Sequence, residues 1–193
     1  MDIISALGLS SASGLNAYIP MLMLGVLDRW TNVIDLPQGW DWLSATPTLI
    51  ILTVLLVIEV VADKIPALDS MNDVVQTLIR PASGGIVFAS GLGTEQVIDG
   101  SGPFPWGPFI AGLLIALVIH ALKSFSRPAA NVTTAGIGAP VLSTLEDVTA
   151  FGLSLFAIFL PILGLVLLLV VFGGAFTLLR KAKNARLPKV GQV

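Results

Sequence analysis

The chain has 193 residues, 55% of them hydrophobic and 11% charged, with a mean hydropathy of +0.92. Soluble domains carry about 25% charged residues, so this composition points to membrane helices. A net charge of −2 leaves no nucleic-acid footprint, and zero cysteines with a single histidine, His120, exclude disulfides, thiol chemistry and histidine-rich metal centres.

Residues 3–27 are the first apolar segment, with no basic n-region before it, which predicts a retained helix and not a cleaved signal. It holds Ser5, Ser10, Ser11, Ser13, Gly14, Asn16 and Pro20. Small residues allow close helix packing, and Pro20 predicts either a bend or a helix broken between Ser13 and Pro20. Residues 28–46 read as a polar loop whose Trp30, Trp40 and Trp42 suit a membrane interface.

Pro47–Ala62 is the second predicted span. Glu59 and Asp63, four residues apart, share one face at its end, and Ile65-Pro66 stops it. Residues 69–80 form an amphipathic segment: Asp69, Asn72, Asp73, Gln76 and Arg80 make a polar stripe opposite Met71, Val74, Val75, Leu78 and Ile79. The apolar run 81–98 follows, either as the continuation of one kinked helix or as a separate crossing.

The glycine- and proline-rich stretch 99–108 is a turn with Trp106 at an interface. Phe109–Phe125 is the fourth span, and His120, Lys123 and Arg127 fall on one face near its end. Residues 128–141 are uncharged and rich in backbone breakers, the pattern of a re-entrant stretch lining a cavity. Residues 142–179 exceed one span of about 20 residues and divide near Pro161 and Gly164. The tail 180–193 carries five positive charges and no acid, a cytoplasmic marker.

These elements predict an all-α, polytopic transmembrane bundle of six spans forming a single domain over 1–193, with both termini cytoplasmic. Residues 66–74 and 140–148 share the pattern P-x-L-x-[ST]-x-x-D-V, which suggests two repeat units, 47–98 and 109–160. A local explanation competes: Ser70-x-x-Asp73 and Thr144-x-x-Asp147 also read as capping boxes at helix starts.

The stretches SGLNAYIP (13–20), IEVVADKIPALDSMNDVVQTLIRPASG (58–84) and HALKSFSRPAANVTTAGIGAPVLSTLEDV (120–148) together resemble DUF4126, a family of small bacterial membrane proteins of unknown function. The resemblance covers nearly the whole chain and implies an inner-membrane protein, with no activity attached.

The candidate binding residues are Glu59, Asp63, Asp69, Asn72, Asp73, Arg80, His120, Lys123, Arg127, Glu146 and Asp147. Mutual pairing of helix ends is the plain reading for most of them. Glu59 lies deepest and His120 is its counterpart in the fourth span, so the two form a candidate proton site. The set predicts a small transporter or channel-like carrier, with Arg80, Lys123 and Arg127 attracting an anionic solute or lipid head group. Glu59 and Asp63 would hold a coupling proton or cation. Two alternatives stand beside it. One is a metal-assisted lipid enzyme using Asp69/Asp73 or Glu146/Asp147; the other is a non-catalytic scaffold. No cofactor is implied; the expected partners are membrane lipids and further copies of the chain.

Overall fold

The computed structural model describes residues 1–92, 104–133 and 138–161, then 163, 166, 169, 170, 173, 174, 176, 177, 180 and 181. The side chains of residues 66, 67, 69, 70, 126–133, 138 and 139 lie outside this description. The described elements are six α-helices and one 3-10 turn, with no strand among them. They are α1 (Ile3–Leu15), α2 (Tyr18–Trp30), α3 (Thr46–Ala62), α4 (Pro66–Gly91), α5 (Trp106–Thr133) and α6 (Gly138–Phe159).

The predicted first span is two short helices, not one bent crossing. α1 starts on an Asp2 cap, whose Oδ1 accepts from the Ser5 amide at 2.8 Å. It ends at Asn16 in an extended conformation, so the break falls at Asn16–Ala17 and Pro20 sits inside the first turn of α2. The halves then fold back on each other. A methyl group on Gly91 would meet Met1 and Ala6, so α1 begins beside the end of α4. Arg29 Nη1 donates to the Ser44 carbonyl at 2.8 Å, so α2 returns to the start of α3 at that same end. Each half has 13 residues, about 20 Å of helix. The result is a helical hairpin whose tip, residues 15–18, lies inside the bundle.

α1 has serine, glycine and alanine on its buried faces, and α4, α5 and α6 close around it. Close approach is the reason for the small residues. A Cβ on Gly84 would strike Ala116, one on Gly112 would strike Gly84 and Phe88, and one on Gly14 would strike Ile119. The serines that this contact buries spend their hydroxyls on carbonyls: Ser10 on Gly112 at 2.7 Å, Ser13 on Leu9 at 3.0 Å and Ser83 on Ala17 at 2.6 Å.

Of the two readings of 69–98, the single helix is observed: α4 runs through Pro81 without dividing there. α5 runs on to Thr133 and α6 starts at Gly138, which replaces most of the re-entrant stretch proposed for 128–141; residues 134–137 lie outside the description. α6 stops at Phe159, Leu160 is non-helical, and the described residues from 161 to 181 are helical, as the Pro161 break implies. Trp40 is 1% exposed and packs with Leu24, Leu36 and Leu43 in the main apolar cluster, so it is a core residue and not an interface anchor.

Two helical stretches, Trp106–Phe125 and Pro140–Phe159, are long and apolar enough to cross a membrane; Ile3–Leu15 and Thr46–Ala62 are shorter apolar helices.

Candidate functional site

The hairpin tip meets a cluster of ionisable side chains from α3, α4, α5 and α6. Arg80 is its centre, with no exposed surface. Its Nη2 donates to Glu59 Oε1 at 2.8 Å and lies 4.0 Å from Asp63 Oδ2. Its Nη1 lies 3.1 Å from His120 Nδ1 and 3.9 Å from Asp73 Oδ1. A guanidinium can only donate, so Nδ1 accepts and the imidazole proton sits on Nε2. That Nε2 then donates to Thr77 Oγ1 at 3.0 Å, and Thr77 donates in turn to the Asp73 carbonyl at 2.8 Å. The chain is self-consistent only with a neutral His120. The expected Glu59–His120 pair is therefore mediated: Arg80 stands between the two.

The second cation is Lys123, one turn beyond His120 on α5. Its Nζ lies 2.9 Å from Glu146 Oε2 and 3.8 Å from Asp63 Oδ2, and it donates to the Leu15 carbonyl at 3.0 Å. Asn16 holds the other side of the helix break. Its Oδ1 accepts from the Tyr18 and Ile19 amides at 3.0 and 3.2 Å, capping α2, while its Nδ2 donates to Asp147 Oδ1 at 3.0 Å. Asn72 Nδ2 donates to Asp63 Oδ1 at 2.7 Å. Lys64 Nζ reaches Ser143 and Thr144 at 3.2 and 2.9 Å, tying the α3–α4 turn to α6.

The capping explanation for the two acidic motifs fails on position. α4 starts at Pro66 after an Ile65 cap, so Asp73 lies two turns inside; α6 starts at Gly138, so Asp147 is deeper still. Thr144 donates to the Pro140 carbonyl at 2.8 Å instead of capping a helix start.

Of the predicted site residues, Glu59, Asp63, Asn72, Asp73, Arg80, His120, Lys123, Glu146 and Asp147 are brought together by these contacts. The side chains of Asp69 and Arg127 lie outside the description. Sequence reasoning missed as members Asn16, Thr77 and the pair Gln76 and Tyr18, whose amide Nε2 and hydroxyl lie 3.5 Å apart. The signal for Asn16 is its place in an otherwise small-residue segment, next to the expected break. Gln76 was legible as part of the polar stripe.

Among the described side chains, five carboxylates (Glu59, Asp63, Asp73, Glu146, Asp147) face two cations, Arg80 and Lys123. Fully ionised, these seven described side chains carry a formal charge of −3, or −2 with Lys64 at the rim. Three buried oxygens, Glu59 Oε2, Asp73 Oδ1 and Gln76 Oε1, accept no hydrogen bond, and Arg80 Nε makes none. No group of three or more His, Cys, Asp or Glu among the described residues is arranged to hold a metal ion.

The model of the family described as "Domain of unknown function (DUF4126)" matches residues 3–181, nearly the whole chain. The chain belongs to the DUF4126 family. No curated protein and no solved structure matches it. Membership in DUF4126 carries no activity, so any function for this member has to be argued from the cluster itself.

Proposed function

We propose that this DUF4126 member is a multi-pass protein of the bacterial cytoplasmic membrane and works as a small ion-coupled carrier, with the Arg80 cluster binding and releasing a proton or a small cation. The observation that carries the reading is an inside-out polarity at the level of the cluster. Each ionisable group of the cluster, buried or half-buried, has exposed apolar neighbours on the same helix. Val57, Ile58 and Val61 flank Glu59 and Asp63; Met71, Val74, Val75 and Leu78 flank Asp73 and Arg80; Leu122 and Phe125 flank Lys123; Leu145 and Val148 flank Glu146 and Asp147. An apolar band of this extent facing water would be a severe liability, and facing lipid it is the normal solvent boundary. A groove lined by apolar side chains of α2, α3 and α6 supports acyl chains as neighbours.

Unmet acceptors point to the species the cluster takes. Glu59 Oε2 and Asp73 Oδ1 are buried acid oxygens that accept no hydrogen bond, so uptake of a proton or a small cation is favoured there. Arg80 and Lys123 are already engaged by carboxylates, which makes an anionic solute or lipid head group the weaker ligand for this site. An intramembrane metal enzyme has no supporting constellation among the described residues.

The hairpin also revises the topology. α3 and α5 run toward the α3–α4 turn, and α4 and α6 run back. With the Lys64 end cytoplasmic, as the positive-inside rule favours, Met1 would fall on the opposite face, which supports a non-cytoplasmic N-terminus in place of the cytoplasmic one expected. The α3–α4 and α5–α6 pairs then run in the same sense, and the matching Pro66 and Pro140 segments open α4 and α6, as two related units would require.

Proteoliposomes with a trapped pH dye test the proposal under an imposed gradient of protons, sodium or potassium. Wild-type protein dissipates at least one gradient faster than empty vesicles, and Glu59→Gln slows it at least about tenfold, as loss of an essential intramembrane acid should. Wild-type rates equal to those of empty vesicles for every ion overturn it.

A further inference from the structure

The seat of Lys123 has the chemistry of a metal-cation site that the chain fills with its own ammonium. α1 ends at the helix break, so the Leu15 carbonyl loses its ordinary partner: the Ile19 amide, four residues on, is bonded to Asn16 Oδ1. That carbonyl sits at the negative end of the α1 dipole. Beside it stand two carboxylate oxygens, Asp63 Oδ2 and Glu146 Oε2, from α3 and α6. A main-chain carbonyl at a broken helix with two carboxylates is the oxygen set that holds a hard monovalent cation inside a membrane bundle. Lys123 reaches it from α5, buried, with its nitrogen 2.9 Å and 3.0 Å from the Glu146 and Leu15 oxygens.

We infer that Lys123 is a tethered cation occupying what would otherwise be a sodium site, and that the exchangeable positive charge of the cluster is therefore a proton. The inference rests on the carrier reading for the word exchangeable, but the occupancy of the seat does not depend on transport. The proton has a separate place to go: Glu59 Oε2 and Asp73 Oδ1, two buried acid oxygens without a hydrogen bond among the described residues, belong to the Arg80 half of the cluster. The two halves share Asp63, which lies between Arg80 at 4.0 Å and Lys123 at 3.8 Å. Neutralising an acid on the Arg80 side strengthens the hold of Arg80 on Asp63 and loosens that of Lys123. This is a route by which proton binding could move the hairpin tip that Lys123 grips through Leu15.

The test is thermal unfolding of purified protein in detergent, in sodium chloride, potassium chloride and choline chloride of equal ionic strength. Wild-type Tm is the same in all three salts, because its seat is full. Lys123→Ala and Lys123→Met are less stable in choline and recover in sodium by about 5 °C or more, the scale expected of a ligand well above its Kd. Lys123→Arg keeps a tethered charge and shows no sodium dependence. Equal melting of both neutral variants in all salts, or failure of both to fold in sodium as in choline, overturns the inference. Sodium stabilisation of the wild type also overturns it. None of these outcomes bears on whether wild-type vesicles pass ions, so the carrier proposal stands or falls separately.

Discussion

Arg80 Nη2 and Glu59 Oε1 meet at 2.8 Å with 0% and 1% of their side chains exposed. This is the most deeply buried ion pair described in the chain, and it joins the end of α3 to the middle of α4. Its value lies in what its loss leaves behind. Desolvation offsets much of the attraction in a buried pair, whereas an abandoned partner stays charged in a poor solvent.

Arg80→Ala should therefore destabilise by about 3–5 kcal/mol, because it strands Glu59 and removes the cation beside Asp73 and one of the two beside Asp63. The double variant Arg80→Met with Glu59→Leu should recover most of that loss. Denaturation in detergent reads both; a double variant no better than Arg80→Ala would show that other groups dominate. Arg80→Lys should fail to substitute, since one ammonium cannot reproduce a fork that contacts Glu59 and His120 at once.

The crossing of α4 and α5 depends on Gly84 and Gly112. Gly84→Ala or Gly112→Ala should cost about 1–3 kcal/mol through overpacking, because the clashing atoms include backbone that cannot move aside cheaply. Gly107→Ala is the control: nothing lies within 4 Å of its added methyl, and the helix should gain up to about 1 kcal/mol. Melting curves of the three variants, ranked in that order, check the packing of the bundle.

Asn16 has two separable duties. Asn16→Ala should lose about 1 kcal/mol as a cap on α2 and also release Asp147. Asn16→Asp retains the capping oxygen but sets a second carboxylate against Asp147, so it should be no better than alanine at neutral pH and should improve as the solution is acidified. If Asn16→Asp matches the wild type at neutral pH, the contact between Asn16 and Asp147 has no energetic weight.

His120 should be a neutral imidazole with its proton on Nε2, as its position between a donor-only guanidinium and Thr77 requires. Nitrogen NMR of histidine-labelled protein, simplified by there being a single histidine, distinguishes this from the other tautomer and from imidazolium. Thr77→Val removes the nearer acceptor, leaving Ser124 Oγ at 3.4 Å, and should shift the Nε2 resonance while Nδ1 changes little.

Much of the site was legible because ionisable residues are so rare in this chain that each one stands out. The spacing of Glu59 and Asp63 and the stripe from Asn72 to Arg80 put charges on inward faces, and the structure places them there. Other features were hidden for definite reasons. A serine- and glycine-rich segment packs equally well as a bent span or as a folded hairpin, and only contacts between Met1, Ala6 and Gly91 decide it. Proline marks left two readings open: the broken-helix alternative between Ser13 and Pro20 and the single-helix alternative through Pro81 are the ones observed, with Pro20 in a first turn and Pro81 inside α4. Trp40 looked like an anchor because periodicity says nothing about a loop that folds back into the core.

Which solvent faces the outside of the bundle is measurable, because the sequence has no cysteine. Leu78→Cys and Phe125→Cys replace side chains that are 78% and 82% exposed and flank the buried cluster. Labelling of each by a charged, water-soluble maleimide should be measured in native membranes, and again after solubilisation and denaturation. If lipid covers both positions, labelling in the membrane will be almost absent, with full reaction after denaturation. Rapid labelling of both in intact membranes would put water where the account requires acyl chains and would contradict it.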